Sequence, residues 1–597
     1  MGLVNNDLLT DARRALARGD VLIAYDLARS ALGNDPDDLD ARYIVALSLA
    51  RSGASEQAGI EAIELRRRVA TSEAATLQLR EDADALVARL AKDEALACDG
   101  PERARRALAA AELYETVANR YNRSYSCVNA ASLWLIGGNE ARARRLAERT
   151  LDRQTMPEND AYWRLATEAE AAVVLGEVDQ ARQALRAAAA LEPVDFGARA
   201  ATRRQLRVVC AARGMALDVA DLLEVPSALH YCGHLINGEP HSLEGVAAQV
   251  AQFLDQRNIG FAYGSLASGA DIIIAELLLE RAIELHVVLP FGREEFVEVS
   301  VAPAGPEWQS RFDRCLDRAA TVIYASDSAY AGDDELFRYN SRIAMGHALN
   351  RAAFLGVDAE QLAVWDGQPA RETAGTARDI EAWSRSGHAT HVIPIAPRPA
   401  QPEDQHPAPE SAREITAILF TDLAGFSGLR DEHFPVYVRV VLGALAQVLD
   451  RHRDALLGYN SWGDAIQAVL ADVPSAARCA LDLQHAIGQI DTTDTELPLD
   501  LAMRIGAHVG PVLHLREPFK GELTYWGREL TRAARIEPRT PVGEVYVTDA
   551  FAALLALEPN AGIRCEYVGQ VTTAKDFETI PMYRLRRDTV RSAREPR

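Results

Sequence analysis

The sequence lacks a long hydrophobic run. No stretch reaches ~18 consecutive uncharged apolar residues, the length that a membrane-spanning helix needs. The first residues, Met-Gly-Leu-Val-Asn-Asn-Asp, contain neither the basic nor the apolar region of a signal peptide. The sixth of them is Asn6, whereas N-myristoylation favours Ser or Thr at that position. We therefore expect a cytoplasmic protein without a membrane partner.

Cysteine and positive charge are also scarce. The seven cysteines are scattered and odd in number, and no CxxC pair occurs, so we expect reduced and mostly buried thiols. Lysine and arginine number 64 against 86 aspartate and glutamate residues, which gives a net charge of −22. Such an acidic surface argues against nucleic acid or an anionic membrane as a partner. It does not oppose nucleotide binding, because a local Arg and Lys cluster can be positive on an acidic protein.

The length and the changes of pattern indicate a multidomain protein. At 597 residues the chain is too long for one core. We predict a helical-repeat domain at 1–222, an α/β domain at 225–396, a Pro-rich linker at 397–412, an α+β domain at 413–586 and a disordered tail at 587–597. The architecture and the Ala- and Arg-rich composition suggest a bacterial signalling protein.

Residues 1–222 carry an internal repeat. The segment has helical periodicity, and glycine is followed five residues later by alanine four times. These pairs are Gly19/Ala24, Gly53/Ala58, Gly138/Ala143 and Gly176/Ala181. Glycine at an inter-helix turn and alanine where helices touch are typical of stacked helical hairpins. The segment resembles tetratricopeptide repeats, which implies either a concave surface for a peptide or partner protein, or a spacer that dimerises or positions the rest.

Residues 225–396 alternate short apolar runs with helical stretches. This order predicts a parallel sheet with right-handed crossovers, a Rossmann-like doubly wound domain. Predicted strands are Ala228–Cys232, Gly260–Tyr263, Glu284–Pro290, Thr321–Ala325, Leu362–Trp365 and Thr390–Ile395. Ligands bind at the carboxyl ends of strands in such sheets, where three polar turns are expected.

The most informative of these turns links a strand to a helix N-terminus, where backbone N–H groups favour a phosphate. The candidate ligand residues of the three turns are Gly233, His234, Gly264, Ser265, Ser268, Gly269, Asp271 and Asp366. The segment resembles nucleotide-sensing Rossmann-like domains related to DprA and the lysine-decarboxylase-like group. The resemblance implies binding of a nucleotide-derived ligand without catalysis. Alternatively, Gly264 and Gly269 only permit tight packing and His234 is an ordinary turn residue.

Two carboxylates dominate the last third of the chain. An apolar strand pattern, Ile-Leu-Phe-Thr, ends on Asp422 and is followed by a Gly-containing turn. Forty-two residues later, Gly463-Asp464 lies between Ala455–Tyr459 and Ile466–Leu470, which together predict a hairpin. Two aspartates at the ends of neighbouring strands offer the hard oxygen ligands that Mg²⁺ prefers.

Basic residues follow. The pattern predicts a helix that begins near Gly527 and is stopped by Pro538. Arg528, Arg532 and Arg535 share one face of it at spacing i, i+4, i+7. With Lys575 before a terminal strand, this Arg face supplies the phosphate-binding charge that phosphoryl chemistry needs.

Together these motifs resemble the catalytic domain of class III nucleotidyl cyclases, the adenylate and guanylate cyclase family. The resemblance implies a ferredoxin-like α+β fold, active as a head-to-tail homodimer. It implies that Asp422 and Asp464, with Leu423, hold two Mg²⁺ or Mn²⁺ ions, and that a nucleoside triphosphate is the substrate. It further implies that the partner subunit supplies Arg535 to stabilise charge on the α-phosphate. Lys575 would contact the triphosphate, and Phe426 would also lie in the substrate site.

Three positions depart from the family pattern. Asn460 stands where adenylate cyclases carry a base-selecting Lys, Thr524 where its partner Asp is usual, and Thr531 where the transition-state Asn is usual. A Thr hydroxyl can still donate one hydrogen bond, although it is shorter than Asn. The substrate therefore stays open among ATP, GTP and a pyrimidine triphosphate. An alternative function is a degenerate sensor or scaffold that binds nucleotide without turnover.

Overall fold

The computed structural model describes residues 2–152, 154–155, 160–235, 240–332, 334–370, 373–396, 413–490, 497, 502–519, 521–558 and 560–588. The chain divides into two compact units: Met1–Val225 with Phe354–Gly356, and Pro226–Ala353 with Val357–Arg597. Within the described ranges, no helix combines the length and apolarity needed to cross a membrane. All seven cysteines are free thiols. The predicted linker, 397–412, lies outside the described residues.

The first unit is helical. Its helices are α1 (Gly2–Arg18), α2 (Val21–Asn34), α3 (Leu39–Ser52), α4 (Ser55–Thr71), α5 (Leu77–Ala97), α6 (Gly100–Tyr121), α7 (Ser124–Ile136), α8 (Glu140–Leu151), α9 (Ala161–Leu175), α10 (Val178–Ala189) and α11 (Phe196–Arg213). Each helix from α1 to α9 packs against the next one, and α11 packs against α9 and α7. The long pair α5 and α6 occupies the stretch where the sequence repeat is least regular.

The four predicted Gly/Ala pairs occupy equivalent places in this unit. Each glycine ends or follows a helix with a positive φ, a conformation that glycine adopts without strain. These angles are +80° at Gly19, +87° at Gly53, +84° at Gly138 and +86° at Gly176. Each alanine, five residues on, is fully buried. The small side chains therefore lie where neighbouring helices touch, as the repeat predicts, while the family name given to the repeat stays a prediction.

The second unit begins with a six-stranded parallel sheet. Its strands are β1 (Ser227–Gly233), β2 (Ile259–Gly264), β3 (Glu284–Leu289), β4 (Thr321–Tyr324), β5 (Ala359–Trp365) and β6 (Thr390–Pro394). Its helices are α12 (Pro240–Asp255), α13 (Ala270–Glu280), α14 (Arg293–Ser300), α15 (Pro306–Arg318), α16 (Glu335–Leu355) and α17 (Thr376–Arg385). All six predicted strands are present within a few residues of their expected bounds.

The strand order of this sheet is β4-β3-β2-β1-β5-β6, and every pair is parallel. The chain runs outward from β1 to β4 and then crosses to the other side of β1 at β5. Neighbouring strands β1 and β5 therefore lead to connections on opposite sides. Their carboxyl ends form the crevice where ligands bind in sheets of this kind.

The rest of the unit is an eight-stranded sheet with helices. Its strands are β7 (Arg413–Ala424), β8 (Leu456–Ser461), β9 (Ala465–Leu470), β10 (Ala502–Arg516), β11 (Leu523–Trp526), β12 (Val545–Thr548), β13 (Ile563–Thr572) and β14 (Thr579–Arg587). Its α-helices are α18 (Phe434–Tyr437), α19 (Gly443–Arg451), α20 (Val473–Gly488), α21 (Arg528–Ile536) and α22 (Asp549–Ala556). A π-helical segment, Val438–Leu442, joins α18 to α19.

The order is β13-β14-β12-β10-β7-β9-β8, with β11 paired to β10, and only β10 and β12 are parallel. The predicted hairpin and the helix stopped by Pro538 are both present. The predicted tail is wrong at its start, because Arg587 still belongs to β14 and forms an ion pair with Asp482. Residues 589–597 lie outside the described ones.

Candidate functional site

The two aspartates are brought together by strand pairing. Asp422 lies near the end of β7, opposite Ala465 of β9. The backbone N–H of Leu423 donates to the carbonyl of Asp464 at 3.1 Å, which locks the β8–β9 turn against β7. Gly463 makes this turn with a φ of +85°, a conformation that a β-branched residue would adopt only with strain. Both carboxylates are partly exposed at the same end of the sheet.

Aromatic side chains pack against the β8–β9 turn that carries Gly463 and Asp464. The hydroxyl of Tyr437 donates to the carbonyl of Gly463 at 2.7 Å. Burial raises the pKa of Tyr437 to about 12, and Asp464 and Asp422 add to the rise, so this hydroxyl stays protonated and both carboxylates lie near it. Phe426 packs edge-on against Tyr437, with ring centroids 5.3 Å apart. A methyl group on Gly463 would lie 3.3 Å from the Phe426 ring.

An arginine that sequence reasoning missed completes this corner. Arg504 lies opposite Asp422 in the β7–β10 pair. Its Nη2 contacts Asp422 Oδ2 at 2.6 Å, and its Nε contacts Glu537 Oε1 at 2.5 Å. Burial raises the pKa of Glu537; Asp422 and Asp464 raise it further, and Arg504 opposes them. The signal available in the sequence was a lone arginine in the apolar run of β10.

The donor set fits a divalent cation. The side chain of Asp464 makes no hydrogen bond or ion pair with any described residue, although its carboxylate is partly buried beside that of Asp422. Carboxylate oxygens are the ligands that Mg²⁺ takes, with water and substrate phosphate completing its shell. Within the described part of the chain, no cluster of three or more His, Cys, Asp or Glu side chains forms a ready-made metal site. The pair therefore suits a cation that arrives with its substrate.

Helix α21 packs across β10 and β7. Gly527 precedes it, and its end approaches β10 so closely that a Cβ on Gly506 would lie 2.6 Å from the backbone N of Glu537. Thr531 is exposed, and Arg535 is half-buried. Neither makes a hydrogen bond or ion pair within the described residues, so both are available to a ligand.

The predicted phosphate-binding Arg face is wrong for two of its three members. Arg532 forms ion pairs with Glu529, Glu578 and Asp327, and Arg528 pairs with Asp327. Their charge is therefore already neutralised by carboxylates of the chain. Only Arg535 keeps the predicted availability.

The last third of the chain resembles a known protein family. Residues 409–585 match the family described as the adenylate and guanylate cyclase catalytic domain. This part of the chain is a class III cyclase catalytic domain. The match covers the strands that carry Asp422 and Asp464, Arg504, helix α21 and the turn with Lys575.

Solved structures similar to the chain are also cyclases. One is the guanylate cyclase domain of RhGC from Catenaria anguillulae in complex with GTP, at 16% identity over 29% of this chain and 97% of that chain, with a TM-score of 0.25. Another is the adenylyl cyclase CyaB from P. aeruginosa, at 18% identity over 30% and 98%, with a TM-score of 0.26. A Trypanosoma brucei adenylate cyclase in its monomeric state gives 19% identity over 30% and 89%, with a TM-score of 0.26. No curated protein matches the chain.

Lys575 lies in a short turn of the cyclase domain that adjoins α21. Its φ of +61° is uncommon for a residue with a side chain, and the side chain is exposed. The turn is tied to α21 because Glu578 accepts from Arg532 at 2.5 Å and Arg528 lies over the Phe577 ring. Thr531 and Arg535 thus lie on α21 and Lys575 on the turn beside it, whereas Asp422 and Arg504 lie on paired strands and Asp464 on the β8–β9 turn.

The two candidate base-selecting positions of the cyclase domain lie on strands. Asn460 of β8 pairs with Gln467 of β9, and its Nδ2 donates to Gln467 Oε1 at 3.4 Å. Thr524 of β11 lies opposite Leu515 of β10. All of these side chains are neutral. Large apolar side chains are exposed on the same hairpins: Leu457, Tyr459, Trp462, Leu515, Phe519, Leu523 and Trp526.

Several predicted ligand residues of the parallel sheet do meet at its crevice. His234 follows β1, and its Nε2 lies 3.1 Å from Oδ1 of Asp366, which follows β5. The carbonyl of His234 accepts from the first amide of α13, and Gly233 packs against Ala270 so closely that a Cβ would lie 2.3 Å from it. Asp271 is buried in the first turn of α13. Burial raises its pKa to about 7, although the amides of Ala267 and Gly233 oppose this.

The other predicted residues of that turn have packing roles. A Cβ on Gly264 would lie 2.6 Å from the Tyr231 ring, and the hydroxyl of Tyr231 donates to the carbonyl of Ser265. Ser268 is buried, and its amide donates to Ser300. Gly269 has a φ of +101° at the helix N-cap. The chain geometry alone thus explains Gly264 and Gly269.

Proposed function

We propose that the protein is a nucleotide cyclase that converts a nucleoside triphosphate into a 3′,5′-cyclic nucleotide and pyrophosphate. The observation that carries this proposal is the Asp422–Asp464 pair, locked by the Leu423 amide and faced by Arg504, within a cyclase domain. In the reaction the ribose 3′-oxygen bonds to the α-phosphorus. The bond from that phosphorus to its bridging oxygen breaks, and the hydroxyl proton is released.

The chain supplies charge at both ends of this reaction. Asp422, Asp464 and the Leu423 backbone would hold two Mg²⁺ or Mn²⁺ ions. These ions, when bound, supply activation of the 3′-hydroxyl and charge neutralisation for pyrophosphate. Arg504 keeps Asp422 oriented and presents its guanidinium beside the carboxylates, where it can bind a phosphate oxygen of the same substrate. The fixed hydrogen bond from Tyr437 holds the turn in place without titrating near neutral pH.

The second half of the site would come from a second copy of the chain. Arg535 has no counterion among the described residues, and we propose that it serves, with Thr531 and Lys575, the aspartates of the other copy. A head-to-tail homodimer would join these residues to those aspartates, since each copy then provides one half to each of two sites. The exposed apolar side chains of the β8–β9 and β10–β11 hairpins are the surface that such a dimer would cover.

The base-facing residues select weakly. Asn460 and Thr524 are neutral, and the amide of Asn460 is already turned toward Gln467. Neither favours a purine over a pyrimidine by charge. We therefore propose a nucleoside triphosphate substrate whose base is to be found by experiment.

The first experiment is incubation of the full chain with Mn²⁺ or Mg²⁺ and each of ATP, GTP, CTP and UTP, with mass spectrometry of the products. A cyclic monophosphate from one of them, absent with Asp464→Asn, establishes the enzyme and its base. No cyclic product from any of the four, with nucleotide binding retained, would contradict the proposal.

A second candidate is favoured by Thr531. It occupies the family's transition-state Asn position and is shorter, so the domain would bind nucleotide as a sensor without turning it over. In that case isothermal titration shows binding with no product, and Thr531→Asn restores turnover. If the wild-type chain is active, the sensor reading is wrong.

The other segments would regulate this enzyme. We propose a nucleotide-derived ligand in the β1–β5 crevice, because His234 and Asp366, two side chains that can bind polar groups, face each other across it. In the first unit, a cavity of about 470 Å³ is lined by Arg66, Arg67, Arg80 and Arg120, and also by Asp84, which pairs with Arg120. We propose that it takes a peptide or partner protein, and that the protein acts in cytoplasmic signalling.

A further inference from the structure

The turn that follows β4 of the parallel sheet reaches the cyclase domain and contacts α21. Ser326 donates through its hydroxyl to Oε1 of Glu529 at 3.2 Å. Oδ2 of Asp327 lies 2.9 Å from Arg532 and 3.1 Å from Arg528. Two consecutive residues of the middle segment thus bind three residues in the first half of this helix.

The α21 side of the contact is a buried charge network. Glu529 is fully buried and pairs with Nε2 of His508 at 2.8 Å and with Arg532. Burial would lower the pKa of Arg532, but Glu578 and Glu529 outweigh it and hold that pKa above its usual value. Arg532 stays charged and joins three elements: α21, the turn carrying Glu578 and the turn carrying Asp327. Removing one partner of such a network leaves the other charges less well compensated.

Helix α16 fixes the same two domains at two further points. The hydroxyl of Tyr339, which is buried, donates to the carbonyl of Val509 in β10 at 2.7 Å. Gly346 lies against α22, where a Cβ would be only 2.1 Å from the carbonyl oxygen of Ala553. His347 pairs with Asp549 at 3.2 Å. Helix α16, which follows the Ser326–Asp327 turn in the chain, is thus anchored on β10 and α22.

We propose that Asp327 is a positioning residue for α21, and that the middle segment sets turnover by this direct contact. The inference rests on the proposed cyclase function, since α21 carries Thr531 and Arg535. Arg532 lies one residue from Thr531 and three from Arg535, so a shift of the Asp327–Arg532 ion pair would move both of these residues. A displacement of about 1 Å in a reacting group can cost about a hundredfold in rate.

The position of the Ser326–Asp327 turn also explains how a signal could reach the cyclase domain. Ser326 and Asp327 lie two and three residues beyond Tyr324, the last residue of β4, at the carboxyl edge of the parallel sheet. Ligands of such sheets bind along that edge. A change of the edge on binding is transmitted to α21 through side chains that are already in contact, without passing through residues 397–412.

The test uses the full chain with Asp327→Ala, Asp327→Asn and Asp327→Glu. The matched control is Asp313→Ala, because Asp313 of α15 also pairs with an arginine at 2.8 Å and is 40% exposed, compared with 44% for Asp327. Hydrogen–deuterium exchange of 528–536 reports the helix without needing catalysis. We expect faster exchange there for Ala and Asn, with kcat lowered about threefold to thirtyfold, KM changed less than about twofold, and Glu close to wild type.

Each outcome decides the inference. Unchanged exchange of 528–536 in Asp327→Ala overturns it, whatever happens to activity. Faster exchange with wild-type kcat shows that the Asp327 contact holds the helix but does not set turnover, which also overturns the inference. The same loss in Asp313→Ala would assign the effect to general destabilisation. If the wild-type chain makes no cyclic nucleotide, the cyclase proposal fails separately. The positioning role is then decided by the hydrogen–deuterium exchange of 528–536 and by the nucleotide affinity of Asp327→Ala.

Discussion

Arg504 shows how one side chain can serve the metal pair and the substrate together. Its charge neutralises Asp422 in the ligand-free chain, and it also opposes any cation that approaches the same carboxylate. Two unit charges about 4 Å apart interact by about 4 kcal/mol at the effective dielectric of a protein surface. The residue therefore lowers resting metal affinity and favours a cation that comes with a phosphate, whose negative charge Arg504 can then bind.

We predict that Arg504→Gln raises Mn²⁺ affinity about tenfold in the absence of nucleotide, because a repelling charge is lost. Turnover should fall about a hundredfold, because the phosphate loses its partner. Electron paramagnetic resonance of free Mn²⁺ gives the first quantity, and product formation gives the second. Arg504→Lys keeps the charge and should bind Mn²⁺ as the wild type does. Weaker Mn²⁺ binding by Arg504→Gln would show that Arg504 orients Asp422 for the metal and does not compete with it.

We predict that Asp464→Asn lowers kcat by at least about 10³-fold. The asparagine keeps the shape of the turn but removes the charge of a metal ligand, and metal catalysis is worth several kcal/mol. Its thermal midpoint should stay at the wild-type value, because the side chain bonds to no described residue. A large drop in stability would mean that Asp464 supports the fold.

At the residue scale, the sequence identified functional residues that belong to a local motif. It missed the roles that depend on a partner far away in the chain. Asp422 and Asp464 were found because each lies next to a glycine turn and an apolar strand pattern. Arg504 was missed because its partner is 82 residues away. Arg532 was assigned to phosphate because the local spacing forms a basic face, while the neutralising Asp327 lies 205 residues earlier. Spacing shows which side chains share a face and cannot show which counterions another domain brings to it.

The elements themselves were largely predictable. Short apolar runs alternating with helices predicted every strand of the parallel sheet, and glycine–alanine pairs predicted four of the turns between helices of the first unit. What could not be predicted is the close approach of elements, for which Gly346 is the clearest case. A glycine inside a helix costs about 1 kcal/mol of helix propensity, so its presence points to a contact. The sequence alone does not name Ala553 as that contact.

We predict that Gly346→Ala lowers the stability of the second unit by about 1–3 kcal/mol, because the methyl group overlaps the backbone of α22. Gly245→Ala is the matched control. It lies in α12 with no atom within 4 Å of the added Cβ, so it should raise stability by about 0.5–1 kcal/mol. Urea unfolding followed by tryptophan fluorescence compares them. A stabilising Gly346→Ala would show that α16 and α22 are separate in solution.

The His347–Asp549 pair gives the same interface a pH dependence. Burial alone would lower the pKa of His347, but Asp549 outweighs it and raises that pKa; Asp549 itself has a lowered pKa. A raised histidine pKa stabilises the fold fully below the unfolded value of about 6.5, and this is lost as pH rises through the folded pKa. The thermal midpoint of the wild type should therefore exceed that of His347→Gln most near pH 6, and this difference should shrink toward pH 9. A difference that grows with pH would contradict this.

At the scale of the whole molecule, the proposed dimer assigns the two halves of each site to different copies. Asp422 and Arg504 lie at one end of the β7–β10 pair with Asp464 on the adjacent turn, while α21 carries Arg535 and adjoins the turn with Lys575. Apolar side chains on two hairpins are left exposed between the strands, although the chain as a whole is strongly acidic. An acidic chain resists general association, so the proposed dimer would pair through this exposed apolar patch.

The proposed dimer predicts rescue between inactive proteins. Asp422→Ala and Arg535→Ala should each be inactive alone. When they are mixed in equal amounts, random exchange makes about half of the dimers mixed, and each mixed dimer has one intact site of two, so about a quarter of wild-type activity should return. Mixing Asp422→Ala with Asp464→Ala is the control, because both changes damage the same half-site and no site is intact in any dimer. Rescue in both mixtures would mean that subunits share residues in another way, and rescue in neither, with mixed dimers shown by native mass spectrometry, would place Arg535 in the same copy as the aspartates it serves.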